Sequence, residues 1–304
     1  MTLALLKESS TGGRRIGSLV HEYLAAHYLD RPPKQEDLEK VAGSQPKLIT
    51  VAREIFEGWR RVYGAKDPWD PVAVEIEIVA TLANIVPDYR EYAPDPTPAG
   101  LGEEIVTSRL DLVFRHKWGR RKGLLDACDH KTKALRGKTF PKWANASNEY
   151  TSDWQFILQL KLARWHFAKV IGERVHSVWV QRIGNNAPVY DRNVVQIPKD
   201  AYQAADIMLV RAILAERDLW ARLDDGEKPL PTGLLTGHCI GRYGACDYRP
   251  LCVASAGQRS LVRDENYETV PLLGSGSGAS RRGTHRLKAV SQCERYAWMK
   301  YYEG

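Results

Sequence analysis

Long apolar runs are missing from this sequence, and with them any segment able to span a bilayer as a helix. Repeats of solenoid length are missing too, which excludes a stacked-repeat architecture. Residues Met1 to Lys7 carry neither the basic lead nor the long apolar stretch of a secretory signal. The expectation is a soluble cytoplasmic protein with no membrane partner. Cysteine is scarce, with five in 304 residues, and an odd number cannot all pair within one chain. Three of the five fall within fourteen residues, and in a reducing compartment such a cluster argues for metal before disulfide.

What is present suits one large domain or two small ones with ample chain for a core. The formal charge is +7, with basic clusters at Arg14-Arg15, Arg120 to Lys122, Lys131 to Lys142 and Arg281-Arg282. A field of that sign favours a polyanionic partner, although many proteins with neutral ligands carry as much.

Apolar spacing predicts helices over Arg15–Tyr28, Leu48–Tyr63, Trp154–Ile171 and Ala201–Leu223. Alternation predicts strands over Pro71–Leu82, Val175–Gln181 and Val194–Ile197. Arg31–Gln45 reads as a polar connection and Pro87–Gly102 as a loop. Lys133–Asp153 reads as a mobile surface loop. Within and beside it, Trp143, Tyr150 and Trp154 could stack on bases while Lys138 and Lys142 meet phosphates, or all could be plain loop packing.

The chain is organised around Leu110 to Lys131, two strands joined by the polar turn Trp118–Gly123. Side chains alternate across a strand, so Asp129 and Lys131 share one face while Cys128 and His130 take the other. Pairing the strands brings Asp111 towards the same neighbourhood. Two carboxylates can hold a hard divalent cation through oxygen, and a lysine can offset charge on a phosphorus centre, which is the chemistry of phosphodiester hydrolysis. An Asp-x-Lys pair alone is more often a solvated sheet edge. Gly17 in the first helix hints at a close approach by a neighbour, and His21 lies one turn on, as a satisfied buried histidine or as a ligand. Cys128 reads as a small buried hydrophobe.

Taken together, Gly17-Ser18-Leu19-Val20-His21, Asp111, Asp129-His130-Lys131 and Gln159-Leu160 resemble the RecB-like branch of the PD-(D/E)xK nucleases, which includes phage and CRISPR-adaptation exonucleases. Gln155 competes for the glutamine position, but the distance from Gln159 to the following strand resembles the family's. Ala163 stands where the family usually has tyrosine. The resemblance implies an α/β, restriction-endonuclease-like core, a central mixed sheet flanked by helices, with a cysteine-ligated cluster subdomain. It implies His21, Asp111, Asp129 and the His130 carbonyl as ligands of Mg²⁺ or Mn²⁺. Lys131 would orient the water, and Gln159 would hold the nucleic acid or Lys131.

Several such nucleases carry a [4Fe–4S] cluster on four cysteines. Cys239, Cys246 and Cys252 match the trailing three, and Cys293, in a helix over His285–Tyr302, matches the fourth. In the family that fourth cysteine precedes the core. The order here therefore resembles a circular permutation, with the Gly/Ser-rich stretch Leu273–Ser280 as the joint. Four thiolates suit Zn²⁺ as well as iron–sulfur, and the resemblance favours the cluster, in a structural role. The implied organisation is a nuclease core over 1–237, a cysteine-rich segment over 238–260, a linker over 261–284 and a permuted helix over 285–304.

The resulting expectation is a metal-dependent deoxyribonuclease. It would be an exonuclease of phage or mobile-element type, acting in recombination or repair on DNA that is single-stranded or has free ends. A helicase or annealing protein would be its protein partner. Two rivals remain open: a catalytically silent nucleic-acid-binding module of the same fold, and a redox-sensing iron–sulfur DNA-binding protein.

Overall fold

The computed structural model describes residues 3–7, 11–133, 154–184, 190–225, 240–241, 244–245 and 267–271. The chain divides into two compact units, one gathering 12–78 and 108–202, the other 1–11, 79–107 and 203–304. In chain order the elements are β1 (Leu3–Lys7), α1 (Thr11–Tyr28), α2 (Gln35–Ala42), α3 (Lys47–Val62), β2 (Trp69–Thr81), the single-turn α4 (Leu82–Ile85), β3 (Ile105–His116) and β4 (Leu125–Lys133). There follow α5 (Trp154–Ile171), β5 (Val175–Gly184), β6 (Tyr190–Val194), α6 (Lys199–Asp224), β7 (Ile240–Gly241), β8 (Gly244–Ala245) and β9 (Tyr267–Pro271).

The protein is α/β, built on a five-stranded mixed sheet of order β2-β3-β4-β5-β6 with helices flanking it. β3 and β4 pair antiparallel, with Leu112 opposite Cys128 and Phe114 opposite Asp126. β4 and β5 run parallel, Asp129 beside Val180 and His130 beside Gln181. A parallel pair cannot be closed by a tight turn, and the connection here includes α5. Residues Trp154 to Leu160 are all buried, consistent with a helix that is apolar around most of its circumference.

In the unit of 12–78 and 108–202 the core gathers Leu19, Val20, Tyr23 and Leu24 of α1 and Ile55, Phe56 and Trp59 of α3. These pack against Leu112, Phe114, Cys128 and Ile183 on one face of the sheet. Alternation turns Asp111, Asp129 and Lys131 to the other face. The hairpin between β3 and β4 is pinned by one buried carboxylate. Asp126 accepts from His116 Nε2 at 2.8 Å, from the Arg121 guanidinium at 2.8–3.1 Å, from the Ser177 N–H at 2.8 Å and from Trp179 Nε1 at 2.9 Å. Gly119 and Gly123 in the turn take φ of 81° and 82°, a region that favours glycine.

In the other unit, Leu82, Ile85, Val86, Leu101 and Val106 are buried, as are Leu209, Val210 and Ile213 of α6. Arg217 donates to the Ala99 carbonyl at 3.1 Å and lies 3.6 Å from Glu104. β1 pairs antiparallel with β9, Leu5 opposite Thr269.

Three local expectations are corrected. Arg31–Gln45 contains a helix, α2, because Leu38 and Ala42 lie one turn apart and enter the core. Glu36 and Asp37 near its start and Lys40 near its end suit the helix dipole. The strand expected over Val194–Ile197 is instead Tyr190–Val194. Its polar residues are taken up by partners, Arg192 by Asp67 and Asp191 by Arg182. Trp154 is also corrected as a base-stacking residue, since it is buried at the start of α5. Lys138, Lys142, Trp143, Tyr150, Cys239, Cys246, Cys252 and Cys293 lie outside the described residues, as do the 273–280 stretch and the 285–302 helix.

Candidate metal centre

The centre starts with how closely α1 can approach the sheet. A Cβ built on Gly17 would lie 2.6 Å from Thr132 Oγ1, far inside van der Waals contact, so a side chain at residue 17 would have to displace the Thr132 hydroxyl or the helix. One turn further along, His21 is delivered to the strand. Its Nε2 stands 2.9 Å from the His130 carbonyl oxygen, which can only accept, so Nε2–H donates. In the neutral ring Nδ1 is then a lone pair, and it faces Asp111 Oδ2 at 3.7 Å. Two acceptors in that position repel unless a cation or a proton lies between them.

Asp111 is held by the backbone of the adjacent strand, accepting the His130 N–H at 2.6 Å. The His130 peptide thus serves the centre from both sides, its N–H on Asp111 and its carbonyl on His21. Burial raises the Asp111 carboxyl above the usual aspartate range. His21 opposes that shift, Asp129 reinforces it, and the His130 N–H and Lys131 oppose it in turn.

A third candidate ligand comes from β2, where Glu75 joins His21 and Asp111. Their donor atoms all lie within 4.8 Å of one another. Burial, then Asp111, lift the Glu75 carboxyl from its ordinary 4.5 to about 7, against the pull of Arg109 and His21 and with a push from Glu22. Arg109 Nε stands 2.5 Å from Glu75 Oε2, an ion pair not aligned as a hydrogen bond. Glu75 also carries a φ of 51°, a left-handed conformation that costs a non-glycine residue about 1–3 kcal/mol and that recurs at functional sites.

Asp129 stands beside this trio. Its Oδ2 is 2.7 Å from Lys131 Nζ, and its Oδ1 accepts from Gln159 Nε2 of α5 at 3.2 Å. Gln159 is buried, and its Oε1 has no hydrogen-bond partner among the described residues. Lys131 Nζ also lies 5.5 Å from the centre of the Phe156 ring. The second glutamine, Gln155, is buried on the same helix.

Of the residues singled out in the sequence, His21, Asp111, Asp129, Lys131, Gln159 and the His130 carbonyl are therefore drawn into one neighbourhood. The closest ligand trio nevertheless replaces Asp129 with Glu75. Sequence reasoning passed over Glu75 because it alternates with Val74 and Ile76 like any outward-facing strand residue. Nothing in that alternation announces the positive φ.

One imidazole and two carboxylates are donors that a divalent cation accepts, the carboxylate oxygens suiting Mg²⁺ and Mn²⁺ and the imidazole suiting borderline metals as well. Burial and mutual repulsion raise the Glu75 and Asp111 carboxyls, and a cation would supply the positive charge that favours their ionised forms.

Cys128 is buried in the core, 3.8 Å from His130 Nδ1, and burial pushes its thiol well up. Among the described residues, no helix is long and apolar enough to cross a membrane. No protein-family model and no curated protein matches the sequence.

Proposed function

We propose that this protein is a divalent-metal-dependent deoxyribonuclease of the PD-(D/E)xK type, acting on DNA with free ends. The observation that carries the reading is the convergence of His21, Glu75 and Asp111 beside the Asp129–Lys131 pair, with the His130 carbonyl at the same edge. His21, Glu75, Asp111 and the His130 carbonyl would hold Mg²⁺ or Mn²⁺, with Asp129 completing the set. A cation bound there supplies Lewis acidity towards a phosphodiester and electrostatic relief for the leaving oxygen.

The chain's own residues do the rest. Lys131, anchored on Asp129, is placed to orient a water for attack at phosphorus and to offset the charge that develops there. The water oxygen bonds to phosphorus, the bond to the ester oxygen breaks, and a phosphate monoester and a hydroxyl result. Gln159 keeps Asp129 Oδ1 in place, which fixes the carboxylate that positions the ammonium. Net charge of +7 suits a polyanionic substrate.

A [4Fe–4S] cluster or Zn²⁺ on Cys239, Cys246, Cys252 and Cys293, and a helicase or annealing-protein partner, belong to the same reading through the family resemblance alone. End-labelled DNA should be digested with Mg²⁺ or Mn²⁺ and left intact with EDTA. Asp129→Ala and Lys131→Ala should each abolish digestion while far-UV circular dichroism stays unchanged. Metal-dependent digestion that persists in both folded variants contradicts the assignment. A wild-type protein that binds DNA without cutting it points to the silent module instead.

A further inference from the structure

Behind the centre lies a buried polar chain that the reading above does not use. Arg192 of β6 is enclosed, its guanidinium carbon 3.6 Å from the centre of the Trp69 ring and 3.9 Å from that of Tyr63. It forms a two-pronged pair with Asp67, Nη1 to Oδ1 at 2.6 Å and Nη2 to Oδ2 at 2.8 Å. Tyr28 OH accepts from Arg192 Nη2 at 3.1 Å and donates to Asp67 Oδ2 at 3.2 Å. This leaves Arg192 Nε, which donates to Gln181 Oε1 at 2.6 Å.

That last contact decides the next one. Arginine can only donate, so the Gln181 oxygen must face it and the Gln181 amide nitrogen must face the other way. The amide nitrogen lies 3.1 Å from His130 Nδ1. It can only donate there, so Nδ1 must accept and the ring proton must sit on Nε2. The ring is also stacked on Tyr28, with planes 8° apart and centres 6.1 Å apart, and it meets the His21 ring edge-on at 5.7 Å. Gln181 is wholly buried and His130 nearly so, which leaves water little room to substitute for either bond.

We propose that Arg192 is a positioning residue. Through Gln181 it sets the tautomer and orientation of His130, and through the His130 peptide it sets the placement of Asp111 and His21. The inference rests on the metal-centre reading for its consequence, not for its chain of contacts. A ring held at Nδ1 and by stacking fixes the backbone on either side of its own Cα. That backbone supplies both the N–H on Asp111 and the carbonyl on His21. Groups that orient metal ligands from behind typically change metal affinity 10–100-fold when removed.

The test uses the full-length chain, with Gln181→Glu and Arg192→Lys beside wild type. The glutamate keeps an acceptor towards Arg192 but offers no donor to His130. The lysine keeps a positive charge for Asp67 but removes the donor that orients Gln181. Nitrogen-15 NMR of the metal-free protein, with the His130 signals assigned by His130→Gln, should find Nδ1 unprotonated and Nε2 protonated in wild type. In Gln181→Glu the proton should appear on Nδ1. Mn²⁺ affinity, titrated by electron paramagnetic resonance, should fall about 10–100-fold in both folded variants.

A His130 tautomer unchanged by Gln181→Glu, or Mn²⁺ affinity at the wild-type level in both variants, overturns the proposal. Wild-type protein that binds no Mn²⁺ but shows the tautomer change contradicts the metal reading and leaves the positioning chain standing. Should Gln181→Glu fail to fold, Arg192→Lys carries the same two readouts, since the amide it releases is free to turn over.

Discussion

At the scale of single residues, the account turns on which acids share the centre. Asp111, Asp129 and Lys131 were legible because an apolar run broken by one carboxylate, a polar turn flanked by glycines and a return strand mark a hairpin, and a strand fixes which neighbours share a face. Glu75 was not, because its role depends on a backbone departure that alternation does not record. Its raised carboxyl makes a pH prediction. With the folded value near 7 and the ordinary value at 4.5, the folded state holds the extra proton between them, so this group's contribution is fully present below about pH 4.5 and is lost as pH rises through about 7. Melting temperature of the metal-free protein should therefore fall over that interval, and Glu75→Gln should flatten the slope. An equal slope in the variant would show that Glu75 does not titrate there. Glu75→Gln should also lower Mg²⁺-dependent cleavage at least tenfold, read as initial rate on end-labelled DNA. Elsewhere, Arg192→Met strands Asp67 in the interior and should cost about 3–5 kcal/mol in denaturant unfolding.

Among elements, the approach of α1 to β4 is the contact on which the rest depends. A glycine inside a helix costs about 1 kcal/mol against alanine in intrinsic propensity, so its presence already pointed to a close neighbour. The neighbour is Thr132. Gly17→Ala should be destabilising by about 1–3 kcal/mol despite the better helix former, and Thr132→Ala should restore much of the loss. A stabilising Gly17→Ala would mean that α1 sits further from the strand than described. α5 was readable to its ends because its apolar content leaves no other choice of structure. α2 was not, since eight residues with two buried side chains give a weak period inside a polar segment. β6 was displaced because Arg192 and Asp191 look like loop residues until their partners arrive, Asp67 from a remote part of the chain and Arg182 from the neighbouring strand.

Over the whole molecule, the sequence carried the α/β class and the mixed sheet, but not the division of the chain into two units. That division depends on contacts between 79–107 and the chain beyond 203, which no local pattern announces. Cation binding at a centre fed by α1, β2, β3 and β4 should stabilise the unit that contains it. Saturating Mn²⁺ at a hundred times its Kd should add about 2.7 kcal/mol, reversed by EDTA. The most direct measurement is a crystal of the full-length protein grown with Mn²⁺ and recorded for its anomalous signal. The account predicts a peak bounded by His21, Glu75 and Asp111, with the His130 carbonyl facing it. Manganese held elsewhere, with those three side chains still apart and unliganded, would contradict it.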